Sequence, residues 1–302
     1  MVLGGVCVAL LATVYLLAVW TVPGQRFEDA VLKAAGRVAG SADQAGALDI
    51  LDAISVPAVV VAGILLILIS VLRRRLFLGV LSVAMITGSI ATTEVFQQFL
   101  QRPILLSQGV RREDQSFPSG HTTVAMSLMC ALVMVAPYRF RGVVAFLTSL
   151  WAASVGVATV TASWHRPSDT IGADLIVVGY ACTAVAILAR WGRVREAALP
   201  TPVGRTLRGL LAGAYAGVAV LAFAVAAATA AIVLSAPVTG GTGASMLLAG
   251  RALALSGSAS VALTMLALLR HVDLGASATN LAREGSRNVE PRHAGLDRPS
   301  GP

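Results

Sequence analysis

The residues best suited to chemistry are His121 and His165. His121 closes the pentapeptide Phe117-Pro118-Ser119-Gly120-His121, at the mouth of an apolar run from Thr122 to Ala136. A small hydroxyl residue and a glycine ahead of a helix leave backbone N–H groups open above its start, where a phosphate oxygen binds well. His165 precedes another apolar run, and Asp169 follows it by four residues, so the two side chains share one helix face once that helix has begun. Hydrolysis of a phosphate monoester needs a nucleophile, an acid for the leaving oxygen, and positive charge or N–H donors for the non-bridging oxygens. His165 is the candidate nucleophile, because Asp169 can accept from one ring nitrogen and leave the other free to attack phosphorus. His121 is the candidate acid. Arg102 and the N–H groups of Ser119, Gly120 and His121 are the candidates for holding phosphate oxygens, and the scheme calls for neither metal nor cofactor.

Such a site needs a frame, and composition says which kind. Of 302 residues 56% are hydrophobic and 13% charged, and the mean hydropathy is +0.79. That is too apolar for a soluble domain and fits an all-α polytopic membrane bundle. Eight apolar runs reach the length of a span, at about 2–22, 51–72, 76–100, 119–137, 142–162, 168–189, 209–236 and 252–269. The net charge of +8 does not point to nucleic acid, because the arginines cluster between runs, where membrane topology accounts for them. Arg73 to Arg75, Arg139, Arg141, the group from Arg190 to Arg208, and Arg270 all fall on one side if every run spans. The positive-inside rule makes that side cytoplasmic, with both termini there and both histidines on the outer side of the cell membrane.

Lys33 is the sole lysine, and Cys7, Cys130 and Cys182 lie inside apolar runs without metal or redox spacing. The segment near 23–48 mixes charges with Phe27, Val31, Leu32 and Val38 at helical spacing, which suits an amphipathic helix on the membrane surface or a solvated linker. Ionisable groups inside spans cost on the order of 3 kcal/mol, so those that persist tend to line cavities. Asp169, Asp174 and Glu94 are of that kind; Glu94 is placed either to pair with Arg102 or to stand as a plain interfacial acid. The chain divides into a six-span core with its amphipathic segment (1–200), two additional spans rich in small residues (201–270), and a charged, proline-containing tail expected to be disordered (271–302). The two added spans suit a bundle-supporting or homo-oligomerising role.

Three sequence blocks resemble the type-2 phosphatidic acid phosphatase superfamily of membrane lipid phosphatases. The middle block, Pro-Ser-Gly-His, is complete at Pro118-Ser119-Gly120-His121. The third, Ser-Arg-x5-His-x3-Asp, keeps His165 and Asp169 but has Ala158 and Thr159 where serine and arginine stand. The first, Lys-x6-Arg-Pro, keeps Arg102-Pro103 and has Val95 in place of lysine. The resemblance covers about residues 50–195. It implies a lipid phosphate or diphosphate substrate, either a polyprenyl carrier or a phospholipid, and a phosphohistidine at His165. It also implies that the missing lysine and arginine would have bound phosphate, so Arg112 and Arg166 are the first candidates to replace them, with Arg111 and Arg251 behind. Transfer to an acceptor other than water, and a non-catalytic descendant that binds a lipid phosphate or supports a membrane complex, are the alternatives.

Overall fold

The computed structural model describes residues 2–106, 116–197, 202–235 and 243–274. Among them the chain forms ten α-helices and one short antiparallel ribbon. In chain order the helices are α1 (Val2–Val19), α2 (Val22–Arg37), α3 (Ala42–Asp52), α4 (Val56–Leu72), α5 (Leu76–Phe99), α6 (Gly120–Val135), α7 (Arg141–Thr161), α8 (Pro167–Arg190), α9 (Pro202–Ser235) and α10 (Gly243–Leu268). Hydroxyl caps set several starts: the side chains of Thr21, Ser41, Ser55 and Ser119 each accept from a backbone N–H in the first turn of α2, α3, α4 and α6.

Helices α1, α5, α7, α8, α9 and α10 are long and apolar enough to cross a bilayer. Helices α3 and α4 pass together but meet at 51°. Ser55 caps a new helix there, with Pro57 in its first turn, so the expected run at 51–72 is broken near its start. The expected run at 119–137 is the short one: α6 has 16 residues, about 24 Å against a hydrocarbon core of about 30 Å. It is also the central helix, with Met126, Met129, Cys130, Met134 and nearly every other residue buried. A helix sheathed by protein need not match the lipid, which accounts for its length.

Two elements sit deeper than the sequence suggests. Helix α10 packs on α2, α6, α7, α8 and α9 and is as buried as α8, whereas α9 is largely exposed. Its Gly250 lies so close to Val31 that a Cβ would meet that side chain at 2.4 Å. Helix α2 buries Glu28, Asp29, Val31, Leu32, Ala34 and Ala35 against the bundle. At the other end, β1 (Val194–Glu196) pairs with β2 (Val272–Leu274), so the segment expected as a tail begins with a strand. Arg75 fixes that strand through two bonds to Asp273, at 2.7 and 2.8 Å.

Candidate active site

Ser119 caps α6 and is wholly buried. Its own N–H donates to the Asp169 carbonyl at 2.9 Å, which ties the α6 start to the first turn of α8. The loop before it is held in the same way. The Ser116 hydroxyl donates to Asp169 Oδ2 at 2.7 Å, and Gln97 on α5 donates to the Pro118 carbonyl at 2.6 Å. The Phe117 ring lies where a Cβ on Gly172 would come within 2.7 Å of it, so only glycine admits this approach.

On the α8 side, Trp164 and His165 donate their backbone N–H groups to the Thr159 carbonyl, at 3.0 and 3.2 Å, which turns the chain out of α7. His165 Nδ1 then faces two acceptors, the Ser116 carbonyl at 3.2 Å and Asp169 Oδ2 at 3.5 Å. Acceptors on that nitrogen favour the tautomer with its proton there, leaving the Nε2 lone pair free. Asp169 is wholly buried, and the N–H of Arg166 also donates to its Oδ2, at 2.9 Å. His121 stands in the first turn of α6, with its ring 5.3 Å from that of Trp164, the residue before His165. Two histidines 44 positions apart thus meet at one end of the bundle.

The cations are engaged by acids. Arg102 donates to Glu28 Oε2 at 2.6 Å and to Asp169 Oδ1 at 3.2 Å, so its partner is Glu28 and not Glu94, which is exposed. Arg166 is buried, and its Nη2 lies 3.6 Å from Asp29 Oδ1. Its Nε has no partner among the described residues. The N–H of Ser168 donates to Glu28 Oε1 at 3.1 Å, so this carboxylate occupies an anion position made by a guanidinium and a helix start. Burial pushes the Glu28 carboxyl above its ordinary range, against the opposing pull of Arg102. Burial disfavours charge on Arg102 as well, but its two carboxylates outweigh that and hold its proton more tightly.

Of the expected replacements, Arg111 and Arg112 lie outside the described residues. Arg251 is committed elsewhere, to Thr161 Oγ1 at 3.0 Å and Asp43 Oδ2 at 3.1 Å. Val95, at the position of the lysine, is 49% exposed, and Thr159, at the position of the arginine, is wholly buried with its hydroxyl on the Gly156 carbonyl. Asp174 is buried without a partner for either oxygen among the described residues, packed toward Gly257 of α10. It stands apart from the histidines.

Sequence reasoning missed Glu28 and Ser116. For Glu28 a signal was present: Val31, Leu32 and Ala35 follow it at the i+3, i+4 and i+7 positions, so an acid sits on the buried face of α2, where it must find a partner. Ser116 carries no such signal, because its role depends on the fold of the loop.

The described residues contain no group of three His, Cys, Asp or Glu side chains able to hold a metal ion. No curated protein and no solved structure matches the chain. Residues 78–195, which run from α5 to the middle of β1 and carry all three sequence blocks, match the model of the PAP2 superfamily, the family those blocks resemble.

Proposed function

We propose that the protein is an integral membrane lipid phosphatase acting through a phosphohistidine at His165. The observation that carries this reading is the seating of His165, with two acceptors on Nδ1 and the neighbouring Trp164 ring 5.3 Å from that of His121. Nε2 of His165 attacks phosphorus as the bond to the lipid oxygen breaks, and His121 gives its proton to that oxygen. Water then attacks the phosphohistidine, His121 takes a proton from it, and inorganic phosphate leaves with His165 restored. Asp169 keeps the proton on Nδ1 throughout and offsets the charge that develops on the ring. The N–H groups of Gly120 and His121 at the α6 start, together with Arg102 and Arg166, hold the phosphate oxygens, while that of Ser119 is already given to the Asp169 carbonyl. The substrate class is a lipid phosphate or diphosphate presented at the outer face of the cell membrane, a polyprenyl carrier or a phospholipid, with both termini of the chain on the cytoplasmic side.

A second reading has its own support. Glu28, Asp29 and Asp169 all lie against the two arginines, and the family's lysine and third-block arginine are absent. Losing one donor to a developing oxyanion typically costs about 10²- to 10³-fold in rate. A descendant that binds a lipid phosphate without turning it over fits that charge balance. One assay separates the two: phosphate release from a panel of lipid phosphates in detergent micelles, with EDTA present, beside His165→Ala and His121→Ala. The phosphatase reading expects release that withstands EDTA, falls to background in His165→Ala and drops about 10²- to 10⁴-fold in His121→Ala. Equal release from all three proteins would reject it in favour of the binding protein.

A further inference from the structure

At the end of the bundle opposite the histidines lies a cavity of about 360 Å³, between the start of α7, the first turns of α9 and the end of α10. Helix α6 separates the two places: His121 stands in its first turn, and Tyr138, three residues past its end, lines the cavity, about 24 Å away. The polar part of the lining is Tyr138, Arg141, Arg205, Arg208, Arg270 and His271, and no Asp or Glu contributes. The nearby acid Asp273 is already held by both ends of the Arg75 guanidinium.

Four arginines around one cavity repel each other unless an anion joins them. Arg141 sharpens the point, being only 3% exposed. Its Nε donates to the Val133 carbonyl at 3.2 Å, and Nη1 donates to the carbonyls of Leu269 and Val272 at 3.2 and 2.5 Å. Its Nη2 has no partner among the described residues. A buried guanidinium whose hydrogen bonds all go to carbonyls, with the Tyr138 ring 5.6 Å from its carbon and no carboxylate bonded to it, keeps a charge that is only partly offset, which is costly in a protein interior. Arg208 is fixed beside it, donating to the Tyr138 carbonyl at 2.7 Å with its guanidinium 3.9 Å over the Tyr138 ring. The remaining lining, including Leu263 and Leu266, is apolar, and at this level α7 and α9 start and α10 ends.

From these features we infer that the cavity binds the headgroup phosphate of an anionic phospholipid, with its hydrocarbon lying along Leu263 and Leu266. Basic pockets between membrane helices serve this chemistry elsewhere, and the volume suits a glycerophosphate headgroup. The site involves neither histidine, so it holds a lipid that is bound and not converted, at the seam where α9 and α10 join the helices of the matched family region.

The test is the thermal midpoint of the purified full-length protein in non-ionic detergent, with added phosphatidylglycerol, phosphatidylcholine or sodium phosphate. Phosphatidylglycerol is expected to raise the midpoint by several degrees and phosphatidylcholine to leave it unmoved. In Arg205→Gln/Arg270→Gln, two exposed positions, the phosphatidylglycerol increment is expected to fall by more than half, each protein being referenced to its own lipid-free midpoint. Arg205→Lys/Arg270→Lys should retain it. Equal shifts with both lipids, or an undiminished increment in the glutamine variant, would overturn the proposal. So would an orthophosphate shift that the glutamine variant abolishes, since the ligand would then be a soluble anion.

Discussion

At the scale of single residues, the site is decided by which carboxylate holds which cation. Glu28 bonds Arg102 and the start of α8 at once, while Asp169 serves His165, Arg102, Ser116 and the Arg166 N–H. Glu28→Gln should leave Arg102 with Asp169 alone and strengthen binding of orthovanadate or phosphate by roughly 5-fold, about 1 kcal/mol for one weakened ion pair; titration calorimetry with the two proteins side by side would read it, and weaker binding by the variant would contradict the competition. The same residue sets a pH dependence. Because burial raises the folded-state carboxyl of Glu28, the stability it contributes is fully present below the ordinary carboxylate value of about 4.3 and is lost as pH rises through the raised one. Wild-type protein should therefore lose thermal stability relative to Glu28→Gln as pH rises above the ordinary carboxylate value, and a pH-independent difference would contradict this. The His165–Asp169 pair was legible from its spacing of four. Glu28 was not recognised, because its place on the apolar face of α2 was read only as amphipathicity.

Helices and loops position these residues, and the tightest fit is that of the Phe117 loop on α8. The ring of Phe117 rests where Gly172 has no side chain, and the Ser119 N–H anchors the loop to the Asp169 carbonyl. A methyl group at Gly172 must push the ring and its loop away, which should cost about 1–3 kcal/mol of stability and lower phosphate release through displaced Ser119 and Ser116. Chemical unfolding of Gly172→Ala alongside the release assay measures both; a variant as stable and active as the parent would show that the loop has room to spare. Most helices were legible as apolar runs of span length, because lipid demands them. The 51° bend at Ser55 and the shortness of α6 were harder to read. The bend follows from a cap and a proline inside one apolar stretch, and α6 is freed from the lipid thickness by burial in protein.

For the molecule as a whole, the unexpected feature is α10. Poor in charge and rich in small residues, it suits a bundle-supporting or homo-oligomerising role by sequence, and it lies between α2, α7 and α8 with Gly250 and Gly257 in close contact with Val31 and Asp174. Small residues in a membrane helix mark where backbones approach one another; sequence cannot say whether the neighbour is the same chain or another. Removal of residues after 200 should leave α2, α7 and α8 without their packing partner, so the truncated chain is expected to elute as aggregate from a sizing column. A monodisperse truncated form with the parent's melting point would return α10 to the periphery.

The central claim, a phosphoryl group passing through His165, is tested most directly by rapid acid-free quenching of the protein with a lipid monoester labelled on phosphorus, followed by peptide mapping. The account predicts label on the peptide containing His165, stable to alkali, lost in acid and absent from His165→Ala. Turnover with no covalent phosphate, or label on any other residue, would contradict it.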